Sequence, residues 1–374
     1  MSGITRELGG DGPLRVVIVA PSLQQLLGGQ EVQGDQLVRE WADDPEVRAT
    51  LVASNPTLTG AFRFMERVPL LRTLLRLPVR ATTLWRSTRD ADVMHAFSGS
   101  HSSFTVATLP SLLVAWLQGK PSLVHYHSPR GEAHLAESFT ARWLLRRIGA
   151  VVVPSEYLRE GFARCGVPSL AIANVVDAVR FQPRGVPPTE PVVLSIRNFE
   201  PRYAVDDVIR AFALVKTTHP ALRLLLAGSG PMEGELRALV RALDVPDVTF
   251  AGAMSRDAVG NLMTRATLLL NASLIDNMPV SILEAFAAGV PVVSSSAGGI
   301  STFARHDETA LLADVGDVEM LARHVRSVLD DSALAQRLVA AAQREVARCS
   351  WAAVRPQWLL LYKRLAAERF SSDR

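Results

Sequence analysis

Short apolar, β-branched runs alternate along the chain with longer stretches in which apolar positions recur every three or four residues. The runs fall into two sets. The first comprises Arg15–Ala20 (RVVIVA), Thr50–Ala53, Asp92–Ala96, Ser122–His127 and Ala150–Pro154. The second comprises Val192–Ile196, Leu222–Ala227, Val248–Ala251, Thr267–Asn271 and Val290–Ser295. A strand that is apolar on both sides is one covered by helices on both faces, so these runs predict parallel strands, and their alternation with helical stretches predicts βαβ units. The expected fold class is α/β, with two doubly wound, Rossmann-like parallel sheets in tandem. Ligands of such sheets bind outside the carboxyl ends of the strands, which places a site between the domains.

Between the two sets lies FQPRGVPPTEP, with four prolines in eleven residues. Proline removes a backbone donor and fixes φ, so this stretch can continue neither a helix nor a central strand. The expected division is an N-terminal domain over residues 1–183, a linker over 184–191 and a C-terminal domain over 192–350. An amphipathic helical tail over 351–374 follows, with a kink expected at Pro356.

Composition narrows the reading. The 374 residues, 48% of them hydrophobic, suffice for two packed cores. The longest uncharged apolar run, Leu109–Leu117, is about half of what a spanning helix needs. The N-terminus shows no secretory hydrophobic region, so a cytoplasmic location is expected. Cys165 and Cys349 form no CxxC and support neither a disulfide framework nor a zinc site. The net charge is +3, and only three of the 40 cationic residues are lysines. The arginines are largely interleaved with Asp and Glu, so no nucleic-acid groove is read. Residues 62–89 are the exception, with seven arginines against Glu66 and a leucine-rich stretch between Pro69 and Pro78. Two readings stand: peripheral contact with an anionic membrane surface, or a solvated helix covering the N-terminal sheet.

Two segments carry candidate chemistry. Gly28 and Gly29 follow the first strand at the mouth of a helix, where adjacent glycines let main-chain amides approach a phosphate. The alternative is a flexible loop with a helix start, and the missing G-x-G-x-x-G argues against a nicotinamide or flavin site. The richest segment is Asn271–Ile300, NASLIDNMPVSILEAFAAGVPVVSSSAGGI. Pro279 suits the first turn of a helix, leaving the amides of Val280 and Ser281 to meet an anion such as a diphosphate. Glu284 follows among small and apolar residues, where a carboxylate needs strong donors. Sugar hydroxyls or a nearby arginine would both serve.

Seven residues separate Asp276 from Glu284, and DNMPVSILEAFAAGVPVVS resembles the acidic-x7-Glu signature of family 4 retaining glycosyltransferases of the GT-B fold. Further landmarks resemble that family in the same order: GGQ at Gly28, YHS at Tyr126–Ser128, PSEYL at Pro154–Leu158 and NVVDAVRF at Asn174–Phe181. LAGSGP at Leu226–Pro231 and AGGI at Ala297–Ile300 follow in the second half. The match spans roughly residues 14 to 315. It implies a GT-B fold whose tail helix crosses back to the N-terminal domain. It also implies a metal-independent enzyme with no cofactor, taking a UDP- or GDP-linked sugar as donor and a sugar, glycan or lipid-linked acceptor.

By the same resemblance, Glu284 would hold the ribose hydroxyls, and Asp276 with Asn277, Met278, Pro279 and Val280 would contact the transferred sugar. Gly29 and Arg197 would lie near the diphosphate, Gly28 and Gly228 would help bind the donor, and His127 would sit near the sugar 6-position, with Arg197, Arg202, His127 and Asp276 as the catalytic candidates. The sequence departs from the family in three places. Asp276 stands where Glu is usual, Tyr203 where Lys is expected with Arg202 one residue before, and Ser301-Thr302 where Pro-Glu is common. Whether Arg202 supplies the second positive charge stays open. Two other readings remain: a nucleotide-sugar-binding protein with altered catalysis, and a sugar synthase or phosphorylase on the same scaffold.

Overall fold

The computed structural model describes residues 12–22, 28–55, 80–183 and 190–372. The expected linker lies almost wholly outside them, as do residues 62–79 of the basic stretch. In the N-terminal domain, β1 (Leu14–Ala20), β2 (Val47–Ala53), β3 (Val93–Ser98), β4 (Ser122–Tyr126), β5 (Ala150–Val153) and β6 (Leu170–Ala171) form one sheet, ordered β2-β1-β3-β4-β5-β6. Every pairing in it is parallel. Helix α1 (Gly29–Glu40) covers one face. On the other lie α2 (residues 80–89), α3 (Leu109–Leu117), α4 (Gly131–Glu137), α5 (Phe139–Leu145) and α6 (Glu156–Arg164). Right-handed crossovers impose this split: the chain moves one way along the sheet from β1 to β2 and the other way thereafter.

The C-terminal domain repeats the plan with β7 (Val192–Ile196), β8 (Arg223–Ala227), β9 (Val248–Gly252), β10 (Leu268–Asn271), β11 (Val292–Ser295) and β12 (Leu311–Ala313). They are ordered β12-β11-β10-β7-β8-β9, again all parallel. Helices α7 (Val205–Lys216), α8 (Glu233–Ala242), α9 (Arg256–Arg265), α10 (Val280–Ala288), α11 (Val318–Asp330) and α12 (Ser332–Val346) surround it. The strand order reverses between β1 and β3 in the first sheet and between β7 and β10 in the second. Open α/β sheets bind ligands at such points.

The apolar runs correspond to ten strands of this structure. β6 and β12, two and three residues long, leave no run to detect. β2 starts at Val47 rather than Thr50 because an edge strand alternates: Arg48 is exposed while Val47 and Val52 are buried. Within the stretch assigned to the first domain, Val176 and Phe181 pack into the core of the second. The tail forms α13 (Trp351–Ser372), and the kink expected at Pro356 does not divide it. Trp358, Tyr362 and Leu365 are buried against side chains of β1, β3 and β4 of the N-terminal sheet. Arg355 clamps both oxygens of Asp44, at 2.5 and 3.0 Å, and reaches Glu46 at 2.9 Å. These contacts offset the one main-chain hydrogen bond that the proline removes.

Candidate active site

Arg197 is the residue that immediately follows β7, and Asn271 is the last residue of β10, so both stand at the reversal point of the second sheet. Arg197 Nε donates to Asn271 Oδ1 at 2.8 Å, and its guanidinium meets the Asp276 carboxylate at 2.9 Å. Asp276 also accepts from Ser273 Oγ at 3.3 Å and from the Asn277 amide at 2.9 Å. The expected phosphate ligand and the expected sugar ligand thus hold one another. Two glycines make the arrangement possible. Gly228 has φ 155°, and a Cβ there would collide with the Arg197 carbonyl oxygen. Gly298 has φ 54°, and its Cβ would collide with the Asp276 carbonyl. The AGGI segment is glycine-rich because it packs main chain against main chain beneath Asp276. Gly298→Ala is expected to cost about 1–3 kcal/mol of backbone strain. Urea unfolding measures it, and a change under a few tenths of a kcal/mol refutes the contact.

Helix α10 begins just beyond. Pro279, expected in the first helical turn, is the N-cap instead; its ψ of 121° is extended and Val280 opens the helix. That cap has no side chain able to bond the first amides, and the first turn has no acidic residue. Asn277 and Met278 face the N-terminal domain: Asn277 accepts from Ser155 Oγ, and the Met278 carbonyl accepts from Asn174 Nδ2 at 3.0 Å. A Cβ on Gly29 would sit 3.8 Å from Val280 Cγ2. The glycine loop and the start of α10 therefore face each other across the cleft.

The two helix starts differ. At α1 the Glu31 carboxylate folds back onto the amides of Gly28 and Glu31 itself, and a Cβ at Gly28 would strike it. The Gly28 amide thus has an anionic partner within the chain. Burial pushes the Glu31 carboxyl above its ordinary range, with those two amides pulling the other way.

Glu284 is buried in α10, 2% exposed, and its partner is Arg256 at the start of α9. Burial raises its pKa, and the arginine only partly opposes that. No sequence signal links Arg256 to a glutamate 28 residues on. Arg202 stands apart, 44% exposed and paired with Glu200 at 2.8 Å. Tyr203 lies between the two arginines, with the Arg197 and Arg202 guanidinium carbons 5.1 and 4.8 Å from its ring centre. The position expected to carry lysine thus holds a ring that two cations share.

His127 follows β4, and its amide donates to Ser98 at the end of β3, 3.0 Å away. Its ring stacks on Phe97 at 5.0 Å and lies 4.1 Å from His125. His125 Nδ1 lies 3.2 Å from His95 Nε2, and His95 Nδ1 lies 2.8 Å from the Tyr362 hydroxyl on α13. Burial pushes His95 and His127 down to about 3 and His125 well below its ordinary value. All three rings are therefore neutral near pH 7. His95 and His125 escaped the sequence reading because histidines in apolar runs resemble ordinary core positions; only their spacing of two from Phe97 and His127 hinted at a shared face.

Among the described residues, His127 Nε2, Asn277 Nδ2 and Asn174 Oδ1 are buried without a hydrogen-bond partner. Such groups are costly unless a polar molecule meets them. No three His, Cys, Asp or Glu side chains gather as a metal site among the described residues. The halves of the chain match two family models: Glycosyltransferase Family 4 over residues 27–180, and Glycosyl transferases group 1 over residues 178–345. The chain belongs to the group 1 glycosyltransferases. It is 28% identical over 297 residues to an exopolysaccharide phosphotransferase of Streptomyces coelicolor, covering 76% of this chain and 31% of that one. It is 29% identical over 253 residues to a GDP-mannose-dependent α-(1-6)-phosphatidylinositol monomannoside mannosyltransferase of Mycobacterium tuberculosis, covering 60% and 64%. In both cases the match spans less than two thirds of the relative. Among solved structures, Anabaena HepE in complex with UDP-glucose superposes with a TM-score of 0.71 at 18% identity, covering 96% of this glycosyltransferase and all of that chain. That likeness shows the GT-B fold.

Proposed function

We propose that this glycosyltransferase moves a sugar from a UDP- or GDP-linked donor to a sugar, glycan or lipid-linked acceptor, in polysaccharide or glycolipid synthesis, with retention of anomeric configuration. The observation that carries the reading is Arg197 and Asp276 locked together at the sheet reversal, beside the uncapped start of α10. As the sugar–phosphate bond breaks, negative charge grows on the diphosphate. Arg197 and the amides of Val280 and Ser281 supply preorganised donors for it. Asp276, Asn277 and Met278 contact the transferred sugar, and Glu284 shares its carboxylate between Arg256 and the ribose hydroxyls. His127, neutral and with an unpartnered Nε2, takes a sugar hydroxyl rather than delivering a proton.

Retention without a glycosidase-like double displacement is part of this proposal. Asp276 and Glu284 are each engaged by an arginine, unlike the paired acids of a glycosidase. A second reading, donor binding with altered catalysis, rests on Tyr203 filling the lysine position between Arg197 and Arg202. Thermal unfolding with UDP-, GDP-, ADP- and dTDP-sugars tests the donor. At about a hundred times its dissociation constant the true donor stabilises by about 2.7 kcal/mol. Glu284→Gln is expected to abolish most of that shift. If none of these sugars moves the midpoint, the assignment fails; binding without transfer favours the second reading.

A further inference from the structure

The helical layer formed by α2, α3 and α5 turns an apolar and cationic outer face to solvent. Residues 102–117 contain no charged side chain. Leu112 and Ala115 pack into the core beneath, while Leu109, Leu113, Trp116 and Leu117 point outward, Trp116 being 74% exposed. Their spacing of three, four and seven places them on one side of the helix. On α5, Phe139 and Trp143 are 69% and 48% exposed. At the far end of α3, Gln118 Nε2 donates to the carbonyl of Trp85, another exposed aromatic, at 2.8 Å. So many exposed large apolar side chains on one helical layer mark an interaction site. No helix among the described residues is long and apolar enough to cross a membrane.

Charge indicates what the face meets. The three arginines of the α5 segment bond to main-chain carbonyls, which engage some of their donors and leave the positive charge unmatched. Arg142 donates to the carbonyls of Leu135 and Ala136, and Arg146 to those of Gly166 and Cys165, at 2.7 and 3.0 Å. Arg147 donates to the Trp143 carbonyl at 3.1 Å and lies 4.4 Å above its ring. Arg142 and Arg146, with Arg164, line a shallow depression of about 460 Å3 beside Cys165. Arg164 alone of these is matched by an acid, Glu132 at 2.7 Å. Exposed tryptophans beside uncompensated arginines suit the boundary between lipid headgroups and acyl chains.

We propose that this face docks the protein on an anionic lipid bilayer, with Trp116, Phe139 and Trp143 at the headgroup boundary and a lipid phosphate in the arginine-lined depression. Docking of this kind holds whatever sugar is transferred. The test is co-sedimentation of the full chain with vesicles of equimolar phosphatidylglycerol and phosphatidylcholine, and with phosphatidylcholine alone. Binding is expected to the first only, and to weaken as salt is added. Arg146→Gln and Arg147→Gln should each weaken it about fivefold, and Trp116→Glu with Phe139→Glu should weaken it further. Leu360→Glu, 72% exposed on α13 behind the opposite face of the sheet, should leave it intact. Donor-induced shifts, each taken against the variant's own midpoint, should be unchanged in all these variants, which separates docking from sugar binding. Three results overturn the proposal: no sedimentation with anionic vesicles at low salt, variants that bind like the parent, or a solution dimer that Trp116→Glu converts to monomer.

Discussion

Replacing Arg197 with alanine is expected to lower sugar transfer by about 10²–10³-fold, the loss typical of removing one preorganised donor from a developing anion. Three roles converge on this side chain: it stands at the sheet reversal, bonds Asn271, and pairs with Asp276. The substitution also strands the Asp276 carboxylate, so a fall in activity alone would not separate chemistry from folding. Arg197→Lys restores the charge without the planar fork and should recover only part of the rate. Arg197→Ala combined with Asp276→Asn removes the stranded charge and should restore stability while leaving transfer low. Single-turnover rates together with urea midpoints distinguish the outcomes. Full transfer by Arg197→Ala would refute the assigned role.

The largest effect expected on stability comes from pH. His95 and His125 are wholly buried among Phe97, Trp358 and Tyr362, and burial holds both neutral. The unfolded chain binds protons on these rings below about pH 6.5, whereas the folded chain does not, down to about 3 for His95. Their folded pKa is depressed, so the stability they allow is present above 6.5 and lost as pH falls through that window. Each ring contributes a slope of about 1.4 kcal/mol per pH unit, or about 4 kcal/mol per unit for the three once His127, depressed like His95, is counted. Glu31 and Glu284 act in the opposite sense, because burial raises their pKa and the folded chain then binds the extra proton. A variant therefore isolates the histidine contribution. Urea unfolding at pH 7 and 5.5 should show a steep loss in the parent and about two thirds of that histidine slope in His95→Phe. Equal slopes would show that the buried rings do not control acid stability.

Part of the candidate site is legible along the chain, and what is not shares a cause. Glu284 stood out because a carboxylate among Ala285, Ala287, Ala288 and Gly289 needs a strong donor. That the donor is Arg256 depends on how α9 lies against α10, which no local pattern encodes. The Gly28-Gly29 pair reads equally as a phosphate loop or a helix start; that Glu31 folds back onto the Gly28 amide is a tertiary detail no local pattern encodes. Pro279 was recognised as a helix-start residue, yet tertiary geometry placed it one position outside the helix. The relation of Tyr203 to Arg197 and Arg202 is equally invisible locally, since one ring meets two cations, one of them six residues away in the chain.

The primary structure by itself determined two parallel sheets, because strands covered on both sides must be apolar throughout, and that signature survives in ten short runs. It determined the order of domains and the segment around Asp276 and Glu284, because an amide-rich turn ahead of a small-residue helix is a local property. Tertiary structure alone decided which charges meet. The pairs Arg197–Asp276 and Arg256–Glu284, the ring relay from Tyr362 to His127, and the outward apolar face of α3 join residues distant in the chain or expose only one side of a helix. Their energies depend on burial and on separations of a few ångströms, and those quantities exist only once the sheets have packed.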